Sequence, residues 1–112
     1  MEERIFEKPV EIAEEFKRSL ADIFNYSVET FGEVQAERYD SKIMKAVKSL
    51  SSFYTAHSPC RHIPSKSLKY RNIILDAHLI IYRIAKERIE VLDIVHQASS
   101  INKIRNVRTI RL

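Results

Sequence analysis

Three groups of side chains in this 112-residue chain could take part in chemistry. His96 closes an apolar run, and an imidazole with its ordinary neutral-range pKa could act there as a general acid. Lys69 and Arg71, on an earlier β-rich run, could contact a phosphate. Each also has a plainer role: His96 as a strand cap or a partner across the sheet, and Lys69, Arg71 and Arg83 as a solvated face. A second group is the tail from Ser99, where Lys103, Arg105, Arg108 and Arg111 are set among Ile101, Ile104, Val107, Ile110 and Leu112. Its charge suits a polyanionic partner. The third is His57-x-x-Cys60-x-His62, a spacing that invites zinc. No fourth ligand lies nearby in sequence, and Pro59 and Pro64 point to a surface loop, so no metal is expected. Cys60 has no activating neighbour beyond Arg61 and His62, so a catalytic thiol is not expected either. A chain with one glycine has no glycine-rich phosphate loop, and no cofactor is expected. Tyr39 and Tyr82 fit core or semi-core positions with their hydroxyls reaching outward.

His96 is positioned by the run His78–His96. Leu79–Ile84 and Ile89–Val95 are both rich in Ile, Val, Leu and Tyr and flank the polar turn Ala85-Lys86-Glu87-Arg88, which predicts a β-hairpin. In its second strand Ile89, Val91 and Asp93 alternate with Glu90, Leu92 and Ile94, so one face is expected to be the more apolar. Leu68–Leu75 reads as a further strand, with Asp76-Ala77 as a tight turn, making a three-stranded meander. Thr55–Ser67 has no periodicity and reads as a loop.

The first half is helical in pattern. Arg4–Glu7 reads as a short strand ended by Lys8-Pro9, with Pro9 at the first helical position and Glu11 in the first turn. Ile12, Phe16, Leu20, Ile23, Ser27 and Phe31 then recur at helical spacing, predicting a helix over residues 10–31. Gly32, the only glycine, follows as its C′ residue in a left-handed conformation. Ala36, Tyr39, Ile43, Ala46, Val47, Leu50 and Phe53 predict a second helix, and so short a break makes an αα-hairpin. The fold expected is α+β, in the order β-α-α-β-β-β, with the helical hairpin packed on one face of a small antiparallel twisted sheet. Residues 1–98 are expected to form the domain and 99–112 a basic tail, either capped into a short helix at Ser99 or Ser100 or a mobile arm.

Composition sets outer bounds. A hydrophobic fraction of 45% and a charged fraction of 30% belong to a soluble globular domain. One cysteine, no long apolar stretch and no leader pattern favour a cytoplasmic protein without a membrane role. The net charge of +4 conceals a division: residues 1–40 carry eleven acidic and five basic side chains, and residues 41–112 carry four acidic and fourteen basic. Such polarity marks either a face for an anionic partner or an acidic layer and a basic layer that neutralise each other.

Asp22-Ile-Phe-Asn-Tyr26, Phe31-Gly-Glu-Val-Gln-Ala-Glu-Arg-Tyr39 and His78-Leu-Ile-Ile-Tyr-Arg-Ile84 together resemble the RelE/ParE superfamily of toxins from type II toxin–antitoxin systems. The ParE branch is the closer match, through Phe31-Gly32-x-x-Gln35-Ala36-x-x-Tyr39 and through Ile94-Val95-His96-Gln97 closing the last strand. The resemblance implies a cytoplasmic plasmid-stabilisation type of toxin that binds and poisons DNA gyrase, and a cognate antitoxin as partner in a hetero-oligomer. The RelE branch instead implies a ribosome-dependent messenger RNA endoribonuclease. In that branch the catalytic side chains fall at positions held here by Leu79, Ala98 and Ile104, none of which can donate a proton or bind phosphate. A nuclease built on this chain would need another site, for which His96, Arg71 and Lys69 are the candidates. For target binding the candidates are His96, Lys103, Arg105 and Arg108.

Overall fold

Pro9 has no N–H to give and offers only a carbonyl, which accepts from the Ile89 amide at 2.9 Å. From that point the chain runs as a strand. The computed structural model describes residues 7–112, with β1 at Val10–Ile12, α1 at Glu14–Phe31, α2 at Glu33–Phe53, β2 at Tyr70–Ile74, β3 at His78–Ile84, β4 at Ile89–His96 and α3 at Ile101–Asn106. A 3₁₀ turn at Val107–Thr109 follows. No helix among the described residues is long and apolar enough to cross a membrane.

The first strand among the described residues lies at Val10–Ile12, in a stretch whose spacing predicts helix. The strand expected at Arg4–Glu7 lies, except for Glu7, outside the described residues. Residues 10–12, expected to be helical with Pro9 at the helix start, instead pair in parallel with Ile89, Glu90 and Val91. Three alternating residues are too short for a period-two signal, and Ile12 falls by chance on the helical spacing of Phe16 and Leu20. The helix starts only at Glu14, where Glu14 and Glu15 put acidic groups in the first turn. The expected antiparallel sheet is consequently mixed: the strand order is β1-β4-β3-β2, with β2–β3–β4 antiparallel and β1 parallel to β4. Everything between β1 and β4 supplies the long crossover that a parallel pair requires. Strand β2 begins at Tyr70, two residues late, because Leu68 takes φ 54°, outside the extended region.

Gly32 joins the two helices with no residue to spare. Its N–H donates to the Val28 carbonyl at 2.9 Å, closing α1, while its carbonyl accepts from the Ala36 amide at 3.1 Å, opening α2. Both are possible at φ 89° and ψ 165°, a conformation open in practice to glycine alone and different from the left-handed one expected.

The hairpin buries Phe16, Ile43, Val47 and Leu50 against Ile73, Ile80, Tyr82, Ile89, Val91 and Ile94. Phe31 and Phe53, at the ends of the two predicted stripes, remain exposed. A second core lies on the opposite side of the sheet. There Ile81, Leu92 and Val95 pack on Cys60 and Ile63 from the β2-leading loop and on Ile104 and Val107 from the C-terminal segment. The expected one-faced sheet is thus covered on both faces, and the loop expected at Thr55–Ser67 contributes core residues. A bulge makes the double covering possible. Ile81 pairs with Asp93 but Tyr82 with Val91, so Leu92 is an extra residue and the side-chain alternation shifts after it. Ile94 joins Ile89 and Val91 toward the helices, whereas the plain alternation had placed it opposite them.

Gly32→Ala is expected to cost about 1–3 kcal/mol, because a Cβ there has open space around it yet cannot relieve the positive φ. Urea unfolding monitored by circular dichroism measures it; a stabilised variant, as Gly→Ala gives at an ordinary helical site, would contradict the junction described.

Candidate functional site

At one end of the sheet three aromatic side chains meet. His78 opens β3 and pairs with His96, which closes β4. Their rings stand edge to face with centroids 5.4 Å apart. The Tyr39 hydroxyl, on α2, hydrogen-bonds His78 Nδ1 at 2.7 Å, so the rim ties helix to sheet. Burial, followed by the charge that His96 can carry, holds His78 below the ordinary histidine value. Burial pushes the Tyr39 hydroxyl up, and the nearby Asp76 carboxylate adds to the rise. His96 itself is exposed, and its Nδ1 accepts from the Ala98 amide at 2.9 Å, which caps the strand end and leaves the neutral ring's proton on Nε2. Gln97 completes the rim, donating from Nε2 to the Leu75 carbonyl at 2.6 Å.

The other nuclease candidates are not at this rim. Arg71 pairs with Tyr82, four residues along β3 from His78, and the Lys69 carbonyl accepts from the Ile84 amide, six residues along. At ~3.3 Å per residue this is ~13 Å and ~20 Å from the His78–His96 pair. The Arg71 guanidinium is moreover occupied, donating to the carbonyls of Leu68 at 3.1 Å, Thr55 at 3.2 Å and His57 at 2.9 Å. It pins the loop that precedes β2. Lys69 is exposed, with its Nζ over the Tyr70 ring, 5.5 Å from the centroid. The three do not converge on one phosphate. Of the residues at the RelE-type catalytic positions, Ile104 is buried in the second core, Leu79 packs against it, and Ala98 is exposed.

The His57, Cys60 and His62 cluster is likewise given to the fold. Cys60 is 2% exposed, its amide donates to the Tyr70 carbonyl, and burial raises its thiol pKa. His57 stands edge-on to Tyr82, with centroids 6.2 Å apart. Among the described residues no three His, Cys, Asp or Glu side chains are grouped to hold a metal ion.

What holds the C-terminal segment is Arg83, which is not the water-facing residue its neighbours suggested. Its Nε donates to Glu90 Oε1 at 2.6 Å, while Nη1 and Nη2 reach the carbonyls of Arg108 at 3.4 Å and Ile110 at 3.2 Å. Arg88 donates to the other Glu90 oxygen at 2.9 Å. Burial alone would raise the Glu90 carboxyl, but the hydrogen bonds and charges of the two arginines outweigh it and hold the group below its usual range. A buried carboxylate shared by two guanidiniums is sound only while both remain; removal of one partner from such a cluster costs about 3–5 kcal/mol. Ser100 caps α3, its Oγ accepting from the Lys103 amide at 3.1 Å, one of the two caps expected for the tail. Lys103, Arg105, Arg108 and Arg111 all project outward from this anchored segment.

Comparison with known proteins assigns the family. A family model described as the ParE toxin of type II toxin–antitoxin systems matches residues 10–101, most of the chain. The chain belongs to the ParE toxin family. It is 27% identical over 93 residues to toxin ParE1 of Caulobacter vibrioides, covering 81% of this chain and 91% of that one. The fold is shared with a chain of the chromosomal ParDE toxin–antitoxin system from P. aeruginosa, at a TM-score of 0.67 and 18% identity over 81% of this chain and 97% of that one. It is shared too with a chain of the RelBE2 toxin–antitoxin complex of Mycobacterium tuberculosis, at a TM-score of 0.57 and 16% identity, covering 88% and 100%. These likenesses establish the α+β RelE/ParE architecture for this ParE family member.

The rim histidine gives the family member a stability that depends on pH. His78 and His57 are both held below the ordinary value, the latter by burial and by Arg71. In the unfolded chain each returns to about 6.5, so below that pH the unfolded state binds more protons and stability falls. The melting temperature is expected to be flat above about pH 7.5 and to drop as the pH falls below about 6.5. His78→Gln should shrink that drop; an identical drop in the variant would contradict the assignment to His78.

Proposed function

We propose that this ParE-type toxin arrests growth by binding DNA gyrase and trapping it with cleaved DNA, and that a cognate antitoxin neutralises it. The observation that carries this reading is membership of the ParE family over residues 10–101. It is supported by the side chains at the nuclease positions, Leu79, Ala98 and Ile104, which offer neither a proton nor a positive charge. His96 and the Arg71–Lys69 pair lie too far apart to replace them. The toxin then acts by binding, with no bond-breaking site of its own. Target contacts are assigned to His96 at the sheet rim and to Lys103, Arg105 and Arg108 on the anchored C-terminal segment, all exposed.

For the antitoxin two surfaces are open. Between α1 and α2 an outward-facing groove is lined by Leu20, Ala21 and Phe24 together with Lys17, Asn25 and Asp40, suited to an amphipathic partner helix. β4 runs five residues past Val91, its last β1 partner, so an extended segment could pair along Leu92–His96. An acidic antitoxin segment would also be drawn by the basic second half.

The purified toxin is expected to convert supercoiled plasmid to a cleaved form in the presence of gyrase and ATP, and to leave messenger RNA intact on translating ribosomes. Cleaved messenger with unaffected gyrase would overturn the assignment in favour of a RelE-type endoribonuclease with a rearranged site.

A further inference from the structure

The layer on the second face of the sheet has an unusual charge. It is built from two stretches distant in sequence, the loop of residues 55–69 and the segment 97–112, brought together because Cys60 and Ile63 from one and Ile104 and Val107 from the other pack on Ile81, Leu92 and Val95. Those two stretches contain Arg61, Lys66, Lys69, Lys103, Arg105, Arg108 and Arg111, all exposed, and not one Asp or Glu. None of the seven is in an ion pair among the described residues. Of the carboxylates on β4, Glu90 is engaged by Arg83 and Arg88, while Asp93 accepts a 2.6 Å hydrogen bond from Ser19 Oγ and feels the Lys103 charge without forming an ion pair with it. Across the sheet, the helical hairpin mixes both signs, seven acidic side chains from Glu14 to Asp40 with the six basic ones Lys17, Arg18, Arg38, Lys42, Lys45 and Lys48. The helical layer is therefore close to neutral, and the positive charge of the molecule is concentrated on the far side of the apolar sheet.

We propose that this basic layer is a binding surface for the phosphate backbone of duplex DNA, engaged without base readout. It extends the reading above from the C-terminal segment to a two-segment face, and it makes DNA itself, not only a protein target, a direct partner. Three features favour a duplex. The charges stand on an ordered backbone, since Arg83 clamps the carbonyls of Arg108 and Ile110 and Arg71 clamps those of Thr55 and His57. Neither stretch contains Phe, Tyr or Trp, and the ring of the neighbouring Tyr70 is already taken by Lys69 at 5.5 Å and Arg83 at 5.8 Å, which leaves the layer poor in platforms on which unpaired bases could stack. Its apolar groups are mostly turned inward, apart from Leu68, Ile101 and Leu112, leaving little for the hydrophobic centre that a protein interface requires.

The test is a fluorescence-anisotropy titration of the purified protein against a labelled 30-base-pair duplex, in the absence of gyrase, between 50 and 200 mM salt. With about four phosphates contacted at once, the affinity should fall by about two orders of magnitude over that range. Arg105→Gln with Arg108→Gln, and separately Lys66→Gln with Lys69→Gln, should each weaken binding at least tenfold and flatten the salt slope by about two. Lys45→Gln with Lys48→Gln removes the same net charge from exposed positions on α2 and should change affinity less than twofold. Unchanged thermal unfolding confirms that each pair of variants is folded. No saturable binding at 50 mM salt, equal weakening by the α2 variants, tighter binding of a single strand, or stronger competition by polyglutamate than by duplex would each overturn the proposal. Because gyrase is absent, failure here leaves the plasmid-cleavage result standing, and failure of plasmid cleavage leaves this one standing.

Discussion

The rest of the structure depends on a hairpin that is apolar on both faces. Ile80 and Tyr82 of β3 and Ile89, Val91 and Ile94 of β4 turn one way, while Ile81, Leu92 and Val95 turn the other. Each such side chain gains about 1.5–3 kcal/mol on leaving water, so neither face can stay open. The helical hairpin covers only one. The other must be covered by whatever chain remains, the long loop before β2 and the residues after β4. The Leu92 bulge lets β4 serve both layers, while β2 shields the edge of β3 and β1 that of β4 over Ile89–Val91.

Covering the second face with irregular chain brings its own requirement, since a loop and two short helical turns cannot satisfy themselves as a sheet does. Arginines meet it. Arg71 supplies three hydrogen bonds to loop carbonyls, and Arg83, charged and oriented by Glu90, supplies two to the C-terminal segment. Tyr82 does the same on the helix side, its hydroxyl donating to the Tyr54 carbonyl at 2.6 Å; burial pushes that hydroxyl up to about 12. These polar groups are internal, and no buried side-chain nitrogen or oxygen among the described residues lacks a hydrogen-bond partner. The outward side of the same layer is left to lysine and arginine, and so the covering that completes the core also creates the basic face.

The helices, the meander and its turns were legible in the sequence because each is long enough to show a period: Ile43, Val47 and Leu50 on one stripe, and alternating Ile, Leu and Val in β3 and β4. Three residues of β1 were not, since Val10-Glu11-Ile12 is shorter than any periodic signal. The second core was hidden for a different reason. Cys60 and Ile63 are isolated apolar residues in a stretch rich in Pro and Ser, and only tertiary contact distinguishes them from surface loop residues. The charge division was visible as numbers, but its meaning depended on which face each segment came to cover. His96 was visible as a strand end. Its pairing with His78, and the link from His78 to Tyr39, required knowledge of the register and of the helix that crosses it.

The central claim, that the C-terminal segment is an integral part of the fold and not a mobile arm, is tested most directly by hydrogen exchange at the amide of Ile104. That N–H donates to the Ser100 carbonyl at 3.1 Å beneath a side chain that is 2% exposed. If the second face is covered as described, the Ile104 amide exchanges at least a hundredfold more slowly than an unstructured one. Exchange at the rate of a free peptide, with the β4 amides still protected, would contradict the account.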